Sequence, residues 1–279
     1  LLPSLAPGLS CFPFILEFLG EDELAKAAMA DLGNKFFVLF LLYLVALRWH
    51  YNNTDYTSDS LKTKLISLGK TLLYEPVNLF IFLALTLVSF GVTLEKLPNF
   101  LSTTLLRISG IMTPLVLLFI GLAVKLKKKQ FFELFSLLIL RASLGLLLVC
   151  GIVALVDIKA QNTILLMVAF SLSACSFWPF AHISSINFKE SKEDKCNRTF
   201  DTNFSLSILA LSLPISVLLI LGILSANDTF TSISNILWLS AMLFIVGIFY
   251  PILKKVKITF YKKELALPQS KRANFEIDK

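Results

Sequence analysis

Apolar positions fall in long unbroken runs, separated by short polar and charged stretches. A short run covers residues 9–19 and contains Pro13. A second is strictly apolar only over 36–47, and reaches bilayer length by extending back through 27–34 and forward to Arg48 and Trp49. Further runs cover 77–94, 108–124, 134–156, 160–181, 204–225 and 229–253. A helix needs roughly 20 apolar residues to cross the hydrocarbon core. Barrel strands instead alternate over about 10 residues. Backbone groups in lipid must be satisfied within the spanning segment, so continuous runs predict helices. The fold class predicted is an all-α integral membrane protein.

Composition strengthens this. The 279 residues are 56% hydrophobic and 16% charged, with 25 Phe, and the mean hydropathy is +0.76. Soluble domains carry about 25% charged residues, so a soluble enzyme, a disordered chain and a secreted disulfide scaffold are excluded. The net charge of +7 does not call for nucleic acid, because Lys and Arg in membrane chains gather in cytoplasmic loops. With Lys125, Lys127, Lys128 and Lys129 inside, alternation puts 48–75, 183–202 and 254–279 inside too. That side then holds 20 of the 26 basic residues, and the outer loops 20–35, 95–107, 157–161 and 226–234 hold 5. Trp49 and Tyr250 fall near inner ends, as aromatic belts do. Residues 61–73 of the longest loop read equally as an amphipathic surface helix or a solvated connector.

Little enzymatic chemistry is written in the chain. Cys11, Cys150, Cys175 and Cys196 are scattered, and His50 and His182 are the two histidines. No metal cluster, hydrolase motif or phosphate loop is readable. Neither an enzyme nor a cofactor is expected. Arg141 is the basic residue inside a span, about 13 Å from its inner end. Such a residue is a functional candidate by default, with snorkelling or a structural ion pair as its alternative. Glu75 before Pro76 reads as a helix cap, Glu17 as a buried or interfacial acid, and His182 as a packed or titrating imidazole.

The most informative feature is an internal echo. Ser10-Cys11-Phe12-Pro13-Phe14 matches Cys175-Ser176-Phe177-Trp178-Pro179-Phe180. Each copy is followed by a charged stretch, Glu21-Asp22-Glu23 with Lys26 and Glu193-Asp194 with Lys192 and Lys195. Each then reaches an Asp and a nearby Asn, Asp31 with Asn34 and Asp201 with Asn203, read as opening an apolar helix. The basic-residue topology makes the two copies run oppositely through the membrane. Proline breaks within paired, oppositely running spans mark the binding region of inverted-repeat transporters. The candidate substrate site is therefore Gly8, Ser10, Cys11 and Pro13 against Ser173, Cys175, Ser176 and Pro179, with Arg141 as a cation. The serines would donate hydrogen bonds, and Pro13 and Pro179 would hold the breaks open.

Gly8-Leu9-Ser10-Cys11-Phe12-Pro13, Phe18-Leu19-Gly20-Glu21 and Asp31-Leu32-Gly33-Asn34 resemble the fourth helix and its exit in the auxin efflux carrier family. Gly110-Ile111-Met112-Thr113-Pro114-Leu115 with Gly121-Leu122 resembles its seventh helix, and Glu75-Pro76 through Gly91 its sixth. Where the family often has Asn-Thr-Gly before the crossing proline, this chain has Ala6, Pro7 and Gly8. The resemblance implies a sodium/proton-antiporter-like fold with crossed broken helices. The chain starts Leu1-Leu2-Pro3 without Met, which on that alignment implies that three helices precede it. Residues 1–50 would end the first repeat, 51–75 form a cytoplasmic loop, and 76–225 form the second repeat. An extra helix over 226–253 and a basic tail over 254–279 would follow. The function implied is secondary transport of a small organic anion in a cell membrane of bacterial type, coupled to a proton or sodium ion. The lipid bilayer and a second copy in a homodimer are the partners, with no nucleic acid. A sodium-coupled bile-acid-type symporter and a truncated, non-transporting membrane protein are the alternatives.

Overall fold

The computed structural model describes residues 1–53, 83–84, 86–87, 89–123, 128–192 and 199–265. The connector after Asn53, Glu75, residues 77–82, 85 and 88 of the 77–94 run and the 266–279 tail lie outside them. Among the described residues the chain is all-helical, without strands. The helices are α1 (Pro7–Ser10), α2 (Phe12–Leu19), α3 (Glu21–Phe36), α4 (Leu42–Asn53), α5 (Asn99–Ala123), α6 (Lys128–Val156), α7 (Gln161–Ser171), α8 (Phe177–Lys192), α9 (Thr202–Ser225) and α10 (Ile233–Leu265). Two compact units result. One comprises Leu1–Lys125 with Ser173–Ser225, the other Leu126–Leu172 with Ala226–Lys279.

Four segments among the described residues are long and apolar enough to cross a membrane: Glu21–His50, Gln130–Val156, Thr202–Ser225 and Ile233–Ile252. They correspond to the runs predicted at 36–47 with its extensions, 134–156, 204–225 and 229–253. The membrane character of the chain rests on them.

Three local expectations change. Residues 20–35 form helix rather than an outer loop. Gly20, at φ 90°, ends α2, and α3 begins directly at Glu21 with three acids in its first turn, where the helix dipole favours them. Its Ala-rich sequence has strong helix propensity. Likewise 95–107 is not all loop, because α5 starts at Asn99 after Pro98. The 160–181 run, read as one span, divides into α7 and α8 around the non-helical residues 173–176.

The first unit contains an interface between α4 and α8, where Tyr43, Ala46 and Leu47 meet Ile186, with Phe200 against them. A π-helical turn, Phe37–Leu41, joins α3 to α4. The second unit is built on an antiparallel pair, α6 with α10. Ser136 donates to the Gly247 carbonyl. Ser143 and Ser240 each donate to the other's carbonyl at 2.9 Å. The Cys150 thiol faces the Ile233 carbonyl at 4.0 Å. Both series advance by seven residues, the spacing of a left-handed helix pair. Small residues let the backbones approach closely, as membrane helix pairs require when burial from water supplies no drive. At Gly247 the approach is limiting, since a Cβ there would lie 2.7 Å from Leu140 Cγ and 3.0 Å from its backbone nitrogen.

Gly247→Val is expected to cost about 1–3 kcal/mol through overpacking, read as a lower thermal unfolding midpoint in detergent. Gly222→Ala, whose added Cβ meets nothing within 4 Å, should leave the midpoint unchanged. Equal midpoints for Gly247→Val and the parent chain would contradict the close pairing.

Candidate functional site at the helix breaks

The first break is short. α1 is one turn, Cys11 leaves helical geometry at φ −124°, ψ −45°, and α2 restarts at Phe12. The second break is the non-helical stretch 173–176 before α8. Neither proline sits in the gap it was expected to hold open. Pro13 is the second residue of α2 and Pro179 the third of α8. In a first turn the backbone N–H has no helical acceptor, so proline loses nothing there and presets the helix that follows. The echo thus marks two restarts.

Within the first unit the two breaks satisfy each other's backbone. The Ala6 N–H donates to the Ala174 carbonyl at 2.8 Å. The Ala174 N–H donates to Ser10 Oγ at 2.8 Å, and the Ser10 hydroxyl in turn donates to the Ala6 carbonyl at 3.0 Å. The Ser176 N–H donates to Ser4 Oγ at 3.0 Å, and the Cys175 N–H to Ser212 Oγ of α9 at 3.2 Å. The Cys11 thiol lies beside the Ser173 hydroxyl. Ser4, Ser10, Cys11 and Ser173 have no solvent exposure at all. Ser176 accepts from the Trp178 N–H at 3.4 Å, a weak cap on α8.

A third element braces the crossing. Asn34 of α3 donates to the Leu5 carbonyl at 3.0 Å and to Asp31 Oδ1 at 2.9 Å. Lys35 pairs with Asp31 Oδ2 at 3.1 Å. The Leu5–Ala6 peptide is therefore held at both ends, its carbonyl by Asn34 and its N–H by Ala174.

The structure brings together Ser10, Cys11, Ser173, Cys175 and Ser176. Gly8 and Pro13 are exposed, while Pro179 is buried one turn into α8. Arg141 belongs to the second unit, half-buried on α6 two residues before Ser143. Glu17 is exposed, and His182 is buried with its ring 4.6 Å from that of Tyr43. Of the two Asp/Asn pairs, only the second opens a helix, where the Phe204 N–H donates to Asp201 Oδ1 at 3.0 Å. Asp31 lies mid-helix and buried. Ser4 and Ser212 carried no sequence signal, since their roles depend on which backbone amides are left over elsewhere. No group of three metal-ligating side chains occurs among the described residues.

Comparison with protein-family models, with curated proteins and with solved structures returns no match.

Ser10→Ala would leave the buried Ala174 N–H without its acceptor, a cost of about 1–3 kcal/mol. The unfolding midpoint in detergent should fall accordingly. Ser171→Ala, which removes only a bond to Val168 of its own helix, should shift it little.

Proposed function

We propose that the chain is a secondary carrier that moves a small organic anion across a cell membrane by alternating access, on an inverted-repeat fold whose two broken helices cross. The observation that supports this most directly is the reciprocal hydrogen bonding of the two breaks through Ala6, Ser10 and Ala174. Interrupted helices at membrane depth persist only inside protein or beside a cavity. Paired interruptions are the arrangement from which transporters build substrate sites. The restart of α8 at Phe177 offers the positive end of a helix dipole, which suits a carboxylate. The resemblance of residues 8–13, 31–34 and 110–115 to auxin efflux carriers points the same way.

A sodium-coupled variant of the same architecture is the second reading. It needs a carboxylate and an amide beside the crossing, and Asp31 with Asn34 supplies that pair.

Reconstitution into proteoliposomes tests both. Radiolabelled mono- and dicarboxylates should enter saturably. The double variant Ser4→Ala/Ser10→Ala should cut the initial rate about tenfold or more, since losing over 1.4 kcal/mol from the site's preferred geometry does so, while the protein still inserts. Replacing sodium by potassium separates the two readings. Flux no greater than in empty vesicles, or flux indifferent to the double substitution, would sink the proposal.

A further inference from the structure

Away from the helix breaks, the α6–α10 pair leaves a furrow open beside its seam. Ser240 and Gly247 of α10 face α6 and are buried. Next to them on α10 run Leu237, Trp238, Ala241, Phe244 and Ile245, all exposed. Ala241 is the small residue among large ones, so the surface dips there. With Leu147 of α6 these side chains line an open cavity of about 590 Å³, which reaches Ser234 at one end and has Ser240 in its lining.

We propose that this furrow is a binding site for one acyl chain of a membrane phospholipid, drawn from the leaflet that surrounds the amino-terminal end of α10.

The lining offers hydrocarbon and little else. The side-chain polar atoms in it belong to Ser234 and Ser240, and the Ser240 hydroxyl is already spent on the Ser143 carbonyl. A polar solute would lose its hydration there without gaining a partner. The furrow also lies along Ile233–Ile252, a segment long and apolar enough to cross a membrane, so its occupant must be at home in hydrocarbon.

Shape narrows the choice. Ser234 to Ile245 covers about 16 Å of helix axis. A volume of 590 Å³ spread over that length is a slot about 6 Å wide. A helix with its side chains is about 10–12 Å across, so a helix of a second copy cannot lie in the slot. A single extended alkyl chain, one methylene thick, can.

Depth gives the direction. Trp238 is 71% exposed and lies five residues past Ile233, about 7 Å into the span. Tryptophan favours this level, with its ring among the upper methylenes and its N–H toward the headgroups. Ser232 and Ser234 mark the polar end, where the glycerol would sit. The chain then passes Trp238 and ends against Phe244 and Ile245.

Trp238 is its own reporter. Trp49→Phe/Trp178→Phe leaves it as the one tryptophan of three. That protein, in detergent, is titrated with phosphatidylcholine brominated along its acyl chains, and bromine quenches indole fluorescence on contact. Quenching should saturate at a low lipid fraction. Adding Ala241→Leu, which fills the slot, should raise the half-saturating fraction about tenfold or more, because the displaced chain loses several buried methylenes. Adding Val246→Leu, at an exposed position outside the lining, should leave it unchanged. Quenching that rises without saturating, or that is equal with and without Ala241→Leu, is ordinary contact with surrounding lipid and overturns the proposal. Native mass spectrometry reads the same site without the tryptophan substitutions. The parent chain should retain one phospholipid that Ala241→Leu loses, and equal retention overturns the proposal. So does a dimer that Ala241→Leu dissociates, since a second copy would then fill the slot. None of these readings depends on transport.

Discussion

A peptide group that leaves a helix in apolar surroundings must find a new partner, and most of the first unit follows from that requirement. Breaking two helices releases amides and carbonyls at Ala6, Ala174, Cys175 and Ser176. Water is excluded from this place, so the two breaks partner each other and recruit side chains for the remainder. Serine suits the task because one hydroxyl both accepts and donates, as Ser10 does between Ala174 and Ala6. The dependence is mutual. Neither segment can regain a continuous helix without stranding the other's backbone, and α3 and α9 are tied in through Asn34 and Ser212.

The second unit meets the same shortage of hydrophobic drive differently. Its α6–α10 pair has intact helices, so their backbone donors are already engaged. Attraction comes instead from close approach and from hydroxyls turned onto the opposing carbonyls. The seven-residue spacing of Ser136, Ser143 and Cys150 against Gly247, Ser240 and Ile233 keeps one face of each helix toward the other along about 20 Å of axis. Larger side chains at these positions would separate the helices and lengthen those bonds.

How much of this could be read beforehand depended on the range of the interaction. Apolar runs were legible because lipid imposes a length and forbids alternation, and among the described residues four of them are helices of spanning length. Residues 20–35 were misread because Glu21, Asp22 and Glu23 look like a loop in a hydropathy profile, although acids also favour a helix start. The break at Cys11 was misplaced onto Pro13 because proline signals both the end and the beginning of a helix, and only the backbone tells which. The roles of Ser4 and Ser212 could not be read at all. Each is set by a partner 37 to 172 residues away, and no local pattern encodes that choice.

The π-helical turn at Phe37–Leu41 fixes more than its five residues. It accommodates one residue beyond the α-helical count, so the buried face advances from Ala27 and Asp31 to Tyr43, Leu47 and His50 with an offset that a regular helix would not give. A one-codon deletion inside the turn would restore regular winding and leave the faces before and after it in nearly their present phase, because the turn absorbs that residue. A deletion in the α-helical stretch on either side would instead turn everything after it by about 100° relative to everything before, taking Tyr43 away from His182 and His50 away from Glu190 together. Single-residue changes of length should therefore be better tolerated within this turn than in the helical stretches that flank it, a constraint on how related chains can diverge.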